Sequence, residues 1–219
     1  MRIRDYLGIS ERAQHLLSRA MEIGLVGLFF VGLYEPSPGV VVNAGIGLLV
    51  LQLPALLERD YGIPMDAGLT LWITSAVFLH ALGTAGLPGM SKNLYVATSW
   101  WDHMTHALSS SVVAGAGYAT VRALDEHRDD IYLPPRFTFV FILSFVIAFG
   151  VVWEVVEFAL GLLANVYEGK AFLTQFGVDD TMRDLLFNTL GGLVVAVWGQ
   201  AYLSDVVGAI RHRLEQRTA

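Results

Sequence analysis

The sequence predicts an all-α, polytopic integral membrane protein: one bundle of six transmembrane helices with both termini cytoplasmic. Three observations lead there. Of 219 residues, 54% are hydrophobic and only 16% charged, whereas a soluble domain usually carries about 25% charge. Mean hydropathy is +0.54, and several uncharged runs approach the ~20 residues that cross a bilayer. The basic residues are distributed one-sidedly over the intervening loops. No hydrophilic stretch is long enough for a soluble domain, so residues 1–219 read as a single transmembrane unit.

The first helix is expected over roughly Leu16 to Tyr34. The arginines before it and the apolar run Ile23 to Tyr34 match the charge pattern of a signal peptide. No small-x-small cleavage site follows, so the helix is expected to be retained. Glu35-Pro36-Ser37-Pro38-Gly39 reads as a tight turn into a second helix, Val40 to Leu57, with Pro54 near its end. The polar turn Glu58 to Pro64 follows. The third helix, Asp66 to Gly86, has Asp66 as its N-cap and Gly86 as its stop. Leu87 to Ser99 reads as a loop, Trp101 to Leu124 as the fourth helix, and Asp125 to Pro135 as a charged loop. The fifth helix, Arg136 to Ala164, is long enough to span with tilt. A loop over Asn165 to Asp179 leads into the sixth helix, Asp180 to Leu203, and a polar tail.

Orientation follows from lysine and arginine near the helix ends. With six spans, eleven basic residues fall on the side of the termini: Arg2, Arg4, Arg12 and Arg19, then Arg59, then Arg122, Arg128 and Arg136, and last Arg211, Arg213 and Arg217. Three, Lys92, Lys170 and Arg183, fall on the other. The expected location is therefore the cell membrane, with cytoplasmic N- and C-termini. The absence of cysteine excludes disulfides, thiolate metal sites and a cysteine nucleophile. A net charge of −6 without a basic patch excludes nucleic acid as a partner; membrane lipids are the expected partners.

Given that topology, the unusual polar residues share one end of the bundle. Asp102 and His106 lie at i, i+4, one turn apart on one helix face. Glu154 and Glu157 lie at i, i+3 in an uncharged run, and Asp180, Asp184 and Asn188 at i, i+4, i+8. His80 lies late in the third helix. All fall in the outer half of their spans. Bland readings exist for most of them. Asp102 and Asp180 can cap helices, and His80 can be a satisfied core residue. Trp100, Trp101, Tyr95 and Tyr167 suit an interfacial belt. Gly115, Gly117, Gly191 and Gly192 permit close helix contact, and Ser109, Ser110 and Ser111 hydrogen-bond within or between helices.

Glu154 and Glu157 resist such a reading. A carboxylate deep in a membrane helix costs about 2.5–3.5 kcal/mol, and Arg183 and the histidines are the only nearby basic candidates. Three explanations stay open: a bound cation, a proton-carrying hydrogen-bonded cluster, and a structural polar core. For the first, the ligand candidates are Asp102, His106, Glu154, Asp180 and Asp184, with Asn188 beside them and His103 as an additional ligand. Imidazole with carboxylates suits zinc, manganese or iron; an all-oxygen subset suits magnesium or calcium. Glu157 or His80 would be the general base.

Four stretches carry a family resemblance: Phe78-Leu79-His80-Ala81-Leu82-Gly83, Trp101-Asp102-His103-Met104-Thr105-His106, Trp153-Glu154-Val155-Val156-Glu157-Phe158 and Asp180-Thr181-Met182-Arg183-Asp184. In this order they resemble the motifs of the YjdF-type membrane proteins. The continuation Asp184-Leu185-Leu186-Phe187-Asn188-Thr189-Leu190-Gly191 is similar to the wider VanZ-like group. The resemblance covers about Trp72 to Trp198 and implies a link to lipid or cell-envelope chemistry. One departure is His103, where both groups usually have lysine or arginine. Three functions fit: a metal-dependent membrane hydrolase or transferase acting on a lipid or lipid-linked envelope substrate, an ion- or proton-coupled transporter, and a non-catalytic lipid-binding envelope protein.

Overall fold

The computed structural model of the chain describes residues 9–85, 89–128, 130–166 and 177–218. Arg2, Arg4, Gly86, Pro88, Tyr167 and Lys170, each invoked above, lie outside the described residues, as does the side chain of Arg217. All regular structure among the described residues is helical: α1 Glu11–Tyr34, α2 Pro38–Val50, α3 Leu53–Tyr61, α4 Ala67–Ala85, α5 Leu94–Ala97, α6 Trp101–His127, α7 Pro135–Val166 and α8 Val178–Thr218. Among the described residues, five stretches are long and apolar enough to cross a membrane: Glu11–Tyr34, Pro38–Tyr61, Ala67–Ala85, Pro135–Leu163 and Val178–Gln216. The protein is a polytopic helical membrane protein.

The expected fourth span, α6, is a helix of 27 residues that is less apolar than the other five. The reason is its position. It packs against α4, α7 and α8, so its polar groups face protein rather than lipid. Buried residues along it are small or hydroxylated: Thr105, Ser110, Ser111, Ala114, Gly115, Gly117 and Ala119. Large apolar residues point outward elsewhere, among them Phe30, Val152 and Leu186, while Glu154, Glu157 and Asp184 are buried. That inversion is stable only where the surroundings are hydrocarbon, since a lipid-facing leucine costs nothing there.

Element boundaries differ from expectation: α1 begins at Glu11 rather than Leu16, the expected turn after Leu57 is helical as far as Tyr61, and α6 runs on to His127; three further differences have evident causes. The second span breaks at Leu51 and Gln52 into α2 and α3, because Pro54 in the first turn of α3 has no N–H to continue the ladder. Gly62, at φ 60°, caps α3 in the left-handed region. The loop before α6 contains the short helix α5, capped by Asn93 Oδ1 accepting from the Val96 N–H. The tail after Leu203 continues α8 as far as Thr218. Val206, Val207 and Ile210 extend its apolar face against the core. Arg211 pairs with Glu215 at 3.3 Å, and the Arg213 guanidinium donates to the carbonyls of Asp60 and Tyr61 at 2.7 and 2.8 Å. That last contact ties the C-terminal end of α8 to the C-terminal end of α3, where a cation is favoured. At the start of α4, Asp66 Oδ1 accepts from the Leu69 N–H at 2.8 Å.

Glycine sets how closely α6 and α8 approach. A Cβ on Gly191 would lie 2.2 Å from the Ala107 carbonyl oxygen and 2.3 Å from Ser110 Oγ. Gly208, on the same helix, has open space around it. Gly191→Ala is expected to lower stability by about 1–3 kcal/mol, and Gly208→Ala to leave it unchanged or slightly raised. Thermal unfolding of the purified protein in detergent checks the pair; equal midpoints would refute close α6–α8 packing at Gly191.

Candidate functional site

α6 and α8 place the acidic and imidazole groups together. Asp102 lies in the first turn of α6 and His106 one turn on. Asp184 lies in the second turn of α8 and Asn188 one turn beyond. His106 Nε2 is 3.5 Å from Asp102 Oδ1 and 3.7 Å from Asp184 Oδ1. One donor atom from each of the three residues lies within 4.8 Å of the others. The opposite ring nitrogen, His106 Nδ1, is 3.3 Å from Asn188 Oδ1. The imidazole is therefore held between one oxygen acceptor behind it and two carboxylates in front. Asp184 is 1% exposed, and its Oδ1 has no hydrogen-bond partner among the described residues.

The two glutamates of α7 form the neighbouring wall. Glu154 Oε2 accepts from Thr181 Oγ1 at 2.8 Å, while its Oε1 is buried without a hydrogen-bond partner among the described residues. Glu157 Oε1 accepts from the Trp153 indole N–H at 3.0 Å. The charges of Glu154 and Asp180 both reach Asp102, Glu157 and Asp184, so five carboxyl groups share one low-dielectric region. Arg183, the arginine considered as their counter-charge, turns instead to Asp179 at 2.8 Å, and both side chains are well exposed. Asp102 and Asp184 pair with His106, which offers a single charge at most.

His80 sits beside this group with both ring nitrogens engaged. Its Nδ1 is 2.8 Å from the Tyr95 hydroxyl and its Nε2 3.1 Å from Asn43 Oδ1. Asn43 has only an oxygen to offer Nε2, so the bond needs the proton on Nε2, and Nδ1 then accepts from Tyr95. Gly83 makes this possible: a Cβ there would lie 2.5 Å from the Tyr95 ring and 2.6 Å from Trp101 Nε1. Trp101 donates to the Leu79 carbonyl at 3.3 Å. Tyr95 and Trp101, expected at the lipid interface, are thus turned inward by hydrogen bonds; Trp100 is exposed. His103, considered as an extra ligand, stacks on Phe187 with ring centroids 4.4 Å apart and planes within 8°. It lies apart from the group of Asp102, His106 and Asp184.

Four residues of this region escape a reading of the sequence: Asn43, Thr105, Thr181 and Trp153. Asn43 carries a signal, being a buried polar side chain in an otherwise apolar helix. Thr105 donates to the Asp102 carbonyl at 2.8 Å and is flanked by the motif residues. Thr181 and Trp153 adjoin the acidic residues in sequence but have no distinguishing pattern. Gly150 on α7 leaves the room that Asn188 occupies, since a Cβ there would lie 2.7 Å from Asn188 Nδ2.

Tyr95→Phe removes the hydroxyl that donates to His80 Nδ1. It is expected to cost about 1–3 kcal/mol, the penalty for a buried polar group left without its partner. Gly83→Ala should cost more, because it displaces Tyr95 and Trp101 together. Thermal unfolding measures both, and the nitrogen chemical shifts of the His80 ring report the tautomer; a Tyr95→Phe protein with wild-type midpoint and wild-type ring shifts would refute this account.

A curated protein of Thermotoga maritima, itself described as uncharacterized, is 31% identical to this chain over 126 residues. That alignment spans 58% of this chain and 58% of the relative's own length. No solved structure matches the chain. The family model described as "Predicted membrane protein (DUF2238)" matches residues 17–205, so the chain belongs to that family of membrane proteins.

Proposed function

We propose that Asp102, His106 and Asp184 hold a divalent cation at the extracytoplasmic face of the membrane, and that the site acts on a lipid or lipid-linked envelope substrate as a metal-dependent hydrolase or transferase. The observation that carries this reading is the placement of His106 Nε2 at 3.5 and 3.7 Å from two carboxylate oxygens, one of them buried without a hydrogen bond. Donors each about 2.0–2.2 Å from a shared ion sit roughly 3–4 Å from one another. Asn188 supports the same reading. A metal-bound imidazole commonly gives its other N–H to an oxygen, which fixes the tautomer and ring orientation.

Charge argues in the same direction. Several carboxylates grouped with one imidazole in hydrocarbon need compensation, and a divalent ion supplies it where arginine does not. One nitrogen and two or more carboxylate oxygens suit zinc, manganese or iron, with magnesium if the carboxylates dominate. When bound, such an ion polarises a phosphoryl or carbonyl oxygen or activates water. Glu154 and Asp180 lie outside the group of Asp102, His106 and Asp184 and are the candidates for further oxygen ligands. Glu157, held by Trp153, takes the role of general base. His80, locked by Tyr95 and Asn43, positions the site rather than moving protons. The motif order further supports kinship with YjdF-type and VanZ-like proteins. The eleven-to-three distribution of basic residues supports a cell-membrane location with cytoplasmic termini.

A coupled transporter is the second reading, favoured by intramembrane carboxylates as such. The polar groups gather at one end of α4, α6, α7 and α8, which provides a site more readily than a path.

Elemental analysis by ICP-MS, with calorimetric titration of manganese and zinc into the purified protein, tests the proposal. Stoichiometric binding is expected. Asn188→Leu should weaken affinity about 10–100-fold, and Asp184→Asn more. Glu157→Gln should keep the metal. Absence of stoichiometric binding would overturn the metal centre, and proteoliposome uptake that Glu154→Gln abolishes would favour transport.

A further inference from the structure

A cavity of about 440 Å³ adjoins the site. Its walls come from α2, α4, α6 and α7, with Asn188 of α8 at one end. Its volume is toward the lower limit of the roughly 300–1,000 Å³ typical of small-molecule pockets. Its lining changes character along its length. At the end where α6 and α8 begin lie Asn43, His80, Thr105, His106 and Asn188. Val156 and Leu160 of α7 and the hydroxyls Ser109 and Ser110 of α6 also line it, and farther along the same helices lie Gly47, Ala76, Val77, Val113 and Val146. All of these latter residues are apolar, and they sit toward the middle of their spans. His106 belongs both to this cavity and to the group with Asp102 and Asp184.

The cavity also has a side entrance. α2 and α7 do not pack extensively on one another, and both contribute to the walls. Ile46 on α2 is 54% exposed and Phe149 on α7 46% exposed, and both line the cavity. In a bilayer that surface meets hydrocarbon, so an occupant arrives laterally from the lipid and need not cross water.

We propose that this cavity binds the single hydrocarbon chain of a membrane amphiphile, chain toward the membrane centre, with its first oxygen function placed at His106 and Asn188. The polar groups Asn43, His80, Thr105, His106 and Asn188 gather in one part of the cavity, Ser109 and Ser110 follow one turn deeper on α6, and the rest of the lining is apolar or aromatic. A molecule of matching polarity is an alkyl or polyprenyl chain ending in a hydroxyl, ester or phosphate. The narrow volume admits one chain. The inference rests on the reading above only for what happens at the oxygen end; the chain-binding half stands on the cavity's own shape and lining.

Photolabelling tests it on the full chain in nanodiscs, with hexadecanol carrying a diazirine at mid-chain as the probe and mass spectrometry to map the adducts. The expected result is saturable labelling at Ala76, Val77, Val113 or Val146, displaced by unlabelled hexadecanol. Val113→Phe and, separately, Ala76→Leu fill the apolar half and should lower that labelling about tenfold, as loss of a modest part of the chain's burial requires. Labelling of the outer surface at Ile23 or Phe30 should be unchanged. Asp184→Asn should lose metal while keeping cavity labelling, which separates failure of the metal centre from failure of the lipid site. Labelling confined to the outer surface, or cavity labelling that unlabelled hexadecanol does not displace, would overturn the proposal. If both filled variants fail to fold, competition on the wild-type protein alone still decides between these outcomes. A hexadecyl phosphate probe with and without manganese then distinguishes a phosphate from a neutral oxygen at the polar end, with metal-dependent labelling expected for the former.

Discussion

The structure depends on holding acidic side chains away from water inside an apolar bundle. Asp184, Glu154 and Glu157 are buried, and burial of an uncompensated carboxylate costs several kcal/mol. The packing meets this constraint by sharing partners. His106 stands between Asp102 and Asp184, Thr181 serves Glu154 and Trp153 serves Glu157. These partners are not sufficient, because Glu154 Oε1 and Asp184 Oδ1 still lack hydrogen bonds among the described residues. Two such atoms in one region place a demand on the site that a single imidazole does not meet. The cation proposed above would satisfy oxygens from separate helices at once.

That arrangement in turn constrains the backbone. Groups on α6 and α8 meet at hydrogen-bond distance only if the helices approach closely, and Gly191 against Ala107 and Ser110 provides the approach. Gly150 makes room for Asn188, and Gly83 for Tyr95 and Trp101. Each glycine lies at a helix contact that carries a polar residue of the site or its support. Small residues in membrane helices let backbones come together where lipid gives no hydrophobic drive for association. Here the same device fixes the separation between functional groups. Packing and chemistry are therefore coupled, and a methyl group added at the helix seam acts on the site as well as on the fold.

Much of this is legible in the sequence because helical geometry is local. Charge-free runs mark the spans, and the spacings Asp102–His106 and Asp184–Asn188 are enough to put each pair on one helix face. The basic-residue asymmetry aligns the polar positions at one end. What stays illegible depends on the register between helices. Nothing near Asn43 or Tyr95 signals that their side chains meet on the two nitrogens of His80, since the three come from separate segments. His103 reads as an additional ligand beside His106, yet a displacement of less than one helical turn sends it onto Phe187. The break at Gln52 is local, set by Pro54, but the continuation of α8 past Leu203 is hidden in the same way. The second turns on tertiary contacts, such as Arg213 reaching the end of α3, that composition does not record.

The polarity of α6 connects these levels. A helix whose first eleven residues include two histidines, an aspartate and three consecutive serines is a poor lipid-facing one, and its low apolarity relative to the other spans follows from that. It is tolerated because α4, α7 and α8 pack against it. Enclosure is incomplete on the side where α2 and α7 remain apart, and the cavity lies there. A wholly enclosed α6 would serve structure alone. On the proposed reading, a polar helix reachable from the bilayer through this cleft would serve recognition, since it offers hydrogen-bonding groups to molecules that never leave the membrane. The same residue, His106, lines the cleft and faces the carboxylates, so an amphiphile bound as proposed would present its polar terminus to the acidic cluster.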